Sequence, residues 1–192
     1  MTQTYSREDA SKLSRELIEH LKQGIRNTSR RDEWTQRNFA LLREYAAKHG
    51  AESYPSAKDS PPDLKAAQFL WDFIACQPRK GILLAAESEH NNTKESILED
   101  FEKLLYVRSP LKLMMCRVSF AENAEKQANE IKDWVQEFMQ KTCNWYTPGE
   151  VYVLYCVYWS GTNGENRDYA FRLQLNGPLE YASLTSERFE AV

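Results

Sequence analysis

Leu13, Leu17, Ile18, Leu21 and Ile25 recur at the three- and four-residue spacing of one helix face, which predicts an amphipathic helix over residues 6–27. The polar stretch Asn27-Thr28-Ser29-Arg30-Arg31-Asp32 interrupts it. Trp34, Phe39, Leu41, Leu42 and Tyr45 then predict a second helix over 32–48, with His49-Gly50 as its stop signal. Residues 50–65, rich in Pro, Gly, Ser and Asp, are expected to form a loop with a short strand near Glu52–Tyr54. Beyond it the pattern changes to compact apolar runs. Residues 67–76 and 81–89 flank the turn Gln77-Pro78-Arg79-Lys80-Gly81 and predict a hairpin. Thr93 suits the cap of a helix running to Val107, which Ser109-Pro110 ends. Residues 111–119 predict an apolar strand, and 122–141 a helix with Ile131, Trp134, Val135 and Phe138 on one face. Two further strands, 150–160 and 167–175, flank the Gly/Asn turn at 161–166; the first is apolar on both faces and belongs inside the sheet. This order of elements predicts an α/β fold, a central mixed β-sheet flanked by helices, in one domain over 1–192.

The hairpin carries acids where aliphatic side chains are expected: Asp72 in its first strand, Glu87 and Glu89 in its second. Alternation along a strand puts Glu87 and Glu89 on one face. With a turn of about six residues, Asp72 falls opposite Glu87; with a slightly shorter one it lies diagonal to it. Carboxylates so close repel one another and lose hydration, so protons or a divalent cation must neutralise them. Hard oxygen donors with room for water suit Mg²⁺ or Mn²⁺. Two plainer readings stay open: Glu89 solvated at the end of an edge strand, and Asp72 bonded to a loop where its strand ends early.

Composition limits the alternatives. With 42% apolar and 28% charged residues the chain is globular, and its net charge of −3 argues against non-specific coating of nucleic acid. A local basic face is still compatible with that charge. Arg26, Arg30, Arg31 and Arg37 could supply one around the second helix, or form a solvated helix junction. The polar N-terminus predicts no secretory signal, and no apolar run reaches membrane-span length. Cys76, Cys116, Cys143 and Cys156 are far apart and read as reduced core residues of a cytoplasmic protein. Nucleotide-cradling glycine motifs are missing, and His20, His49 and His90 lack metal-site spacing. The tyrosines and tryptophans of 145–159 follow strand alternation, which favours core packing over base stacking.

A helix with an acid, a strand with Asp, a turn, a strand with Glu-x-Glu, a helix and a further strand: in that order the parts resemble the core of the PD-(D/E)xK nuclease superfamily, the restriction endonuclease-like fold. "DEWTQRNFALL", "FLWDFIA", "ILLAAESEHN" and "ILEDFEKLL" carry the resemblance, which covers roughly residues 31–119 and is similar to a bacterial branch of that superfamily. Residues 1–30 would then be a helical extension and 121–192 a helix plus a β-hairpin extending the sheet. The resemblance implies that Asp72 is the motif Asp, Glu87 the acid of the (D/E)xK element and Glu33 the acid of the first core helix. Those three, with Glu89, would hold one or two Mg²⁺ or Mn²⁺ ions for phosphodiester cleavage in DNA or RNA. Glu89 stands where the motif has lysine, so a lysine of the following helix would have to substitute: Lys103 first, Lys94 second. Helical spacing puts Lys103 nearly opposite the buried face, where Glu99 is the expected surface partner. The alternative is a catalytically silent member of the fold that works through a protein partner or a second copy of itself.

Overall fold

The structure, a computed structural model, describes residues 5–26, 34–54, 71–119, 121–142, 149–158, 166–176 and 183–189. Its elements are α1 (Arg7–Arg26), α2 (Trp34–Lys48), β1 (Glu52–Tyr54), β2 (Phe73–Gln77), β3 (Gly81–Glu89), α3 (Lys94–Leu105), β4 (Leu111–Val118), a short 3₁₀ turn at Ala121–Asn123, α4 (Ala124–Lys141), β5 (Val151–Tyr158), β6 (Arg167–Asn176) and β7 (Ser183–Phe189). The strands form one seven-stranded sheet in chain order. β1, β2 and β3 pair antiparallel, β3, β4 and β5 parallel, and β5, β6 and β7 antiparallel. The two parallel junctions are those bridged by α3 and α4, because a parallel strand needs a long crossover.

The helices divide between the two faces. Leu17, Ile18 and Leu21 of α1 and Leu42 and Tyr45 of α2 pack on Phe73, Leu84, Leu113, Met115, Val153 and Tyr155. The opposite face holds Ile97, Phe101 and Leu104 of α3 and Ile131, Val135 and Met139 of α4 against Met114, Cys116, Leu154 and Phe171. α1 and α2 approach closely at Gly24, where any Cβ would collide with the Leu41 side chain. Residues 151–157 of β5 are all buried, as expected of an interior strand. No helix among the described residues is long and apolar enough to cross a membrane.

Three details differ from the sequence reading. First, the hairpin's opening strand begins at Phe73; Trp71 and Asp72 form a bend before it, and 67–70 lie outside the described residues. Second, the pairing steps from Ala75↔Leu84 to Cys76↔Ile82, so Leu83 is an extra residue in β3. This bulge sends Leu83 and Leu84 together into the α1/α2 core. Third, β7 adds a strand to what was expected to end as a two-stranded hairpin. Its sequence, Ser-Leu-Thr-Ser-Glu-Arg-Phe, has too little apolar alternation to announce a strand. Backbone pairing from Asn176↔Ser183 to Ala170↔Phe189 holds it at the edge, with the registered cross-strand pair Arg172–Glu187 and an Arg188–Glu125 bridge of 2.6 Å to α4.

Candidate functional site

The hairpin register brings the first two acids together. Phe73 pairs with Ala86, so Asp72, one residue before β2, arrives beside Glu87. Side-chain bonds replace the ladder there: the Ser88 N–H donates to Asp72 Oδ2 at 2.9 Å, and the Asp72 N–H donates to Glu87 Oε1 at 3.2 Å. Those bonds explain the bend, since the backbone of Asp72 is satisfied by a carboxylate rather than by a strand partner. Glu87 points to the α3/α4 face in register with Met114, and its side chain is completely buried.

α3 completes the group. Thr93 caps it in an extended conformation, its Oγ1 accepting the Ser96 N–H at 3.3 Å. Ile97, Phe101, Leu104 and Leu105 anchor its buried face. From its final turn Lys103 extends to Glu87, with Nζ 3.3 Å from Oε2, and meets Asp100 Oδ1 at 2.5 Å. Trp71 Nε1 donates to the Lys103 carbonyl oxygen at 2.8 Å, tying the end of α3 to the bend that carries Asp72.

The expected surface pairing of Lys103 with Glu99 is therefore replaced by Asp100, three residues away, and by Glu87. A lysine stem is long enough to lie along the margin of an apolar face and deliver its head past the helix contact. Lys94, the second candidate, bonds instead to Glu137 of α4 at 3.4 Å. Glu89 shares the strand face of Glu87 but spends Oε1 on the Asn91 N–H at 2.6 Å, in its own turn. Glu33 lies outside the described residues. Tyr152 and Tyr155 are core residues, as their alternation predicts, and Cys116 and Cys156 are buried free thiols.

Charge in this group is unbalanced. Burial, then the neighbouring Asp72 carboxylate, pushes the Glu87 carboxyl up to about 8, and Lys103 only partly offsets them. Asp72 is exposed as a residue, yet crowding around its carboxyl desolvates it and raises its pKa. The Ser88 N–H opposes that rise, whereas the charge of Asp100 reinforces it. Desolvation works to lower the Lys103 ammonium, but its bond to Asp100 and the charge of Glu87 prevail and raise it.

Among the described residues no set of three or more His, Cys, Asp or Glu side chains converges as a metal-ligand group. The expected quartet thus reduces, within those residues, to Asp72 and Glu87. Two adjacent carboxylates, one buried and held near neutral, still suit a hard divalent cation. Mg²⁺ commonly takes one or two carboxylates and fills its remaining positions with water and substrate phosphate. A cavity of about 320 Å³ lies elsewhere, lined by Tyr5, Asp9, Lys12, Glu16, His49 and Lys80, with charges of both signs.

Sequence reasoning passed over Trp71 as an anchor and Asp100 as a member. Asp100 had one signal, its position at the margin of the buried face of α3; Trp71 had none beyond adjacency to Asp72. The class these observations define is an α/β protein with a seven-stranded mixed sheet and an Asp–Glu–Lys cluster on its α3 face. Set against family models, curated proteins and solved structures, the chain matches none.

Proposed function

We propose that the protein is a divalent-metal-dependent phosphodiester hydrolase acting on DNA or, as second choice, RNA, built on a restriction endonuclease-like core. The observation that carries the reading is the arrival of Lys103 from α3 at Glu87, 3.3 Å from Oε2, with the Asp72 backbone N–H donating to the same carboxylate. It supplies the lysine missing from the Glu-x-Glu strand. The order α2, β1, β2, β3, α3, β4 supports it too, since a helix, an antiparallel strand pair, a helix and a parallel strand follow one another as the resemblance expects, with β1 added and Asp72 in the bend before β2.

Asp72 and Glu87 would hold Mg²⁺ or Mn²⁺, and Glu87 would release its proton as the cation arrives. Such an ion supplies Lewis-acid stabilisation of charge building on a phosphate and eases deprotonation of the attacking water. Lys103 contributes a fixed positive charge at the rim of the site, suited to orient that water or to meet a phosphate oxygen. The buried wall behind Glu87 excludes bulk water and strengthens each of these interactions.

A second reading, a silent member of the fold that binds a partner, is favoured by two observations: Lys103 already neutralises part of the cluster, and no third carboxylate joins the other two as a ligand among the described residues. Calorimetric titration with Mg²⁺ and Mn²⁺, followed by cleavage assays on supercoiled plasmid and single-stranded RNA, separates the two. Saturable binding abolished by Asp72→Ala, with cleavage abolished by Lys103→Ala, is the expected result. Metal binding without cleavage of either substrate selects the silent reading; no binding, alone or with a phosphodiester present, overturns the metal site.

A further inference from the structure

We infer that Asp100 and Trp71 form a two-point clamp that fixes the Lys103 ammonium against Glu87, which makes Asp100 a positioning residue of this site. The inference rests on the reading of the site given above.

The two points act on different ends of one residue. Trp71 Nε1 donates to the Lys103 backbone carbonyl at 2.8 Å and holds the last turn of α3 against the bend before β2. Asp100 Oδ1 lies 2.5 Å from Lys103 Nζ and holds the head of the side chain. The Glu87 contact, at 3.3 Å, is the longer of the two ammonium bonds, so Asp100 is the nearer anchor. Without it, a lysine side chain that is 35% exposed would recover its rotamer freedom in water rather than stay over a buried acid.

Asp100 is a poor choice for stability alone. It adds a third carboxylate, and its repulsion, to a group in which Asp72 and Glu87 already share one ammonium with it. A neutral residue there would relieve that repulsion and forfeit the hold on Lys103. The clamp also lets the ammonium remain at the rim when a divalent cation occupies the two acids. Repulsion would drive Nζ away from Glu87, and Asp100 is the acceptor it would retain.

Lysine ammonium ¹H–¹⁵N spectra of the metal-free protein test this, with the Lys103 signal assigned by its loss in Lys103→Met. The wild type is expected to show a slowly exchanging Lys103 cross-peak that persists in Glu87→Gln. Asp100→Asn should abolish it, Asp100→Glu should restore it, and Trp71→Phe should broaden it. Circular dichroism checks that each variant folds. A peak that survives Asp100→Asn but vanishes in Glu87→Gln would overturn the clamp, as would no peak in the wild type. No metal or nucleic acid is present, so the clamp can fail while the metal titration succeeds, and the reverse.

Discussion

Lys112 with Glu150 and Lys103 with Glu87 are both lysine–carboxylate contacts on the α3/α4 face of one sheet, and their surroundings differ in charge balance. Lys112, 1% exposed in β4, places Nζ 2.5 Å from Glu150 Oε2 and 2.9 Å from the Tyr152 hydroxyl, above the Tyr152 ring at 4.7 Å. Desolvation lowers the Lys112 ammonium, and Glu150 works against that loss. One cation there meets one anion, and the Tyr152 hydroxyl also bonds Glu150, at 3.3 Å. Two residues further along the β3–β4 pairing, the single ammonium of Lys103 serves Glu87 and Asp100, and the Asp72 N–H bonds Glu87 as well. A balanced pair can be sealed under a helix and contribute only to architecture. A surplus of carboxylates needs protons or a further cation, and that need makes the second group a candidate for function.

The largest effect should come from unbalancing the balanced pair. Glu150→Gln leaves the Lys112 ammonium buried without its counter-ion and is expected to lower stability by about 4 kcal/mol in urea unfolding. Adding Lys112→Met should recover most of that loss, because burying no charge costs less than burying one alone. A double variant no more stable than the single one would show that the pair is not what holds this end of the sheet.

Next comes the pH response of the unbalanced group. The folded pKa of Glu87 is raised, so the stability associated with its proton is complete below the unfolded value near 4.5 and is lost as pH rises towards about 8. Between pH 5 and 8 the metal-free protein should lose roughly 3 kcal/mol through this residue, a loss that Glu87→Gln removes. Urea midpoints at the two pH values measure it, and equal slopes for wild type and Glu87→Gln would contradict the charge surplus. A divalent cation should reverse the loss. At about 100 times its Kd, Mn²⁺ is expected to add about 2.7 kcal/mol at pH 8, less at pH 5, and nothing in Asp72→Ala.

How much of this was legible depended on whether local pattern or tertiary approach decided each feature. Periods of three to four and of two located the four helices of the described residues and the strands from β2 to β6, because burial enforces them. The approach of Asp72 to Glu87 was expected from a turn of about six residues, but only 78–80 separate Gln77 from Gly81, a register that alone would set Asp72 opposite Ala86; the bulge at Leu83, which no local pattern announced, restores Glu87. β7 was missed because an edge strand with a polar sequence is specified by its neighbour's backbone rather than by its own side chains. The plainer reading of Lys103, a surface pair with Glu99, failed because helical spacing gives the direction of Cβ and not the reach of a four-carbon stem. Lys112 offered a signal that went unread: a lysine among Leu111, Leu113 and Met114 in a strand buried on both faces must have a buried partner. Nothing local identified Glu150 as that partner, since the two meet only through the β4–β5 pairing.

The smallest expected effect sharpens the comparison most. Among the described residues the two lysines bond different partners: Lys103 bonds Glu87 and Asp100, whereas Lys112 bonds Glu150 and Tyr152. Besides the β3–β4 pairing they are connected by packing at Phe101, next to Asp100 in α3, whose ring centroid is 5.6 Å from that of Tyr152. An apolar ring passes on packing strain but carries no proton and no net charge. In a double-mutant cycle, Asp100→Asn and Glu150→Gln should therefore be additive to within about 0.5 kcal/mol. Coupling above about 1 kcal/mol would join them into one electrostatic network. In that event the surplus charge at Glu87 would already be partly answered by Lys112, and the need for an outside cation would weaken accordingly.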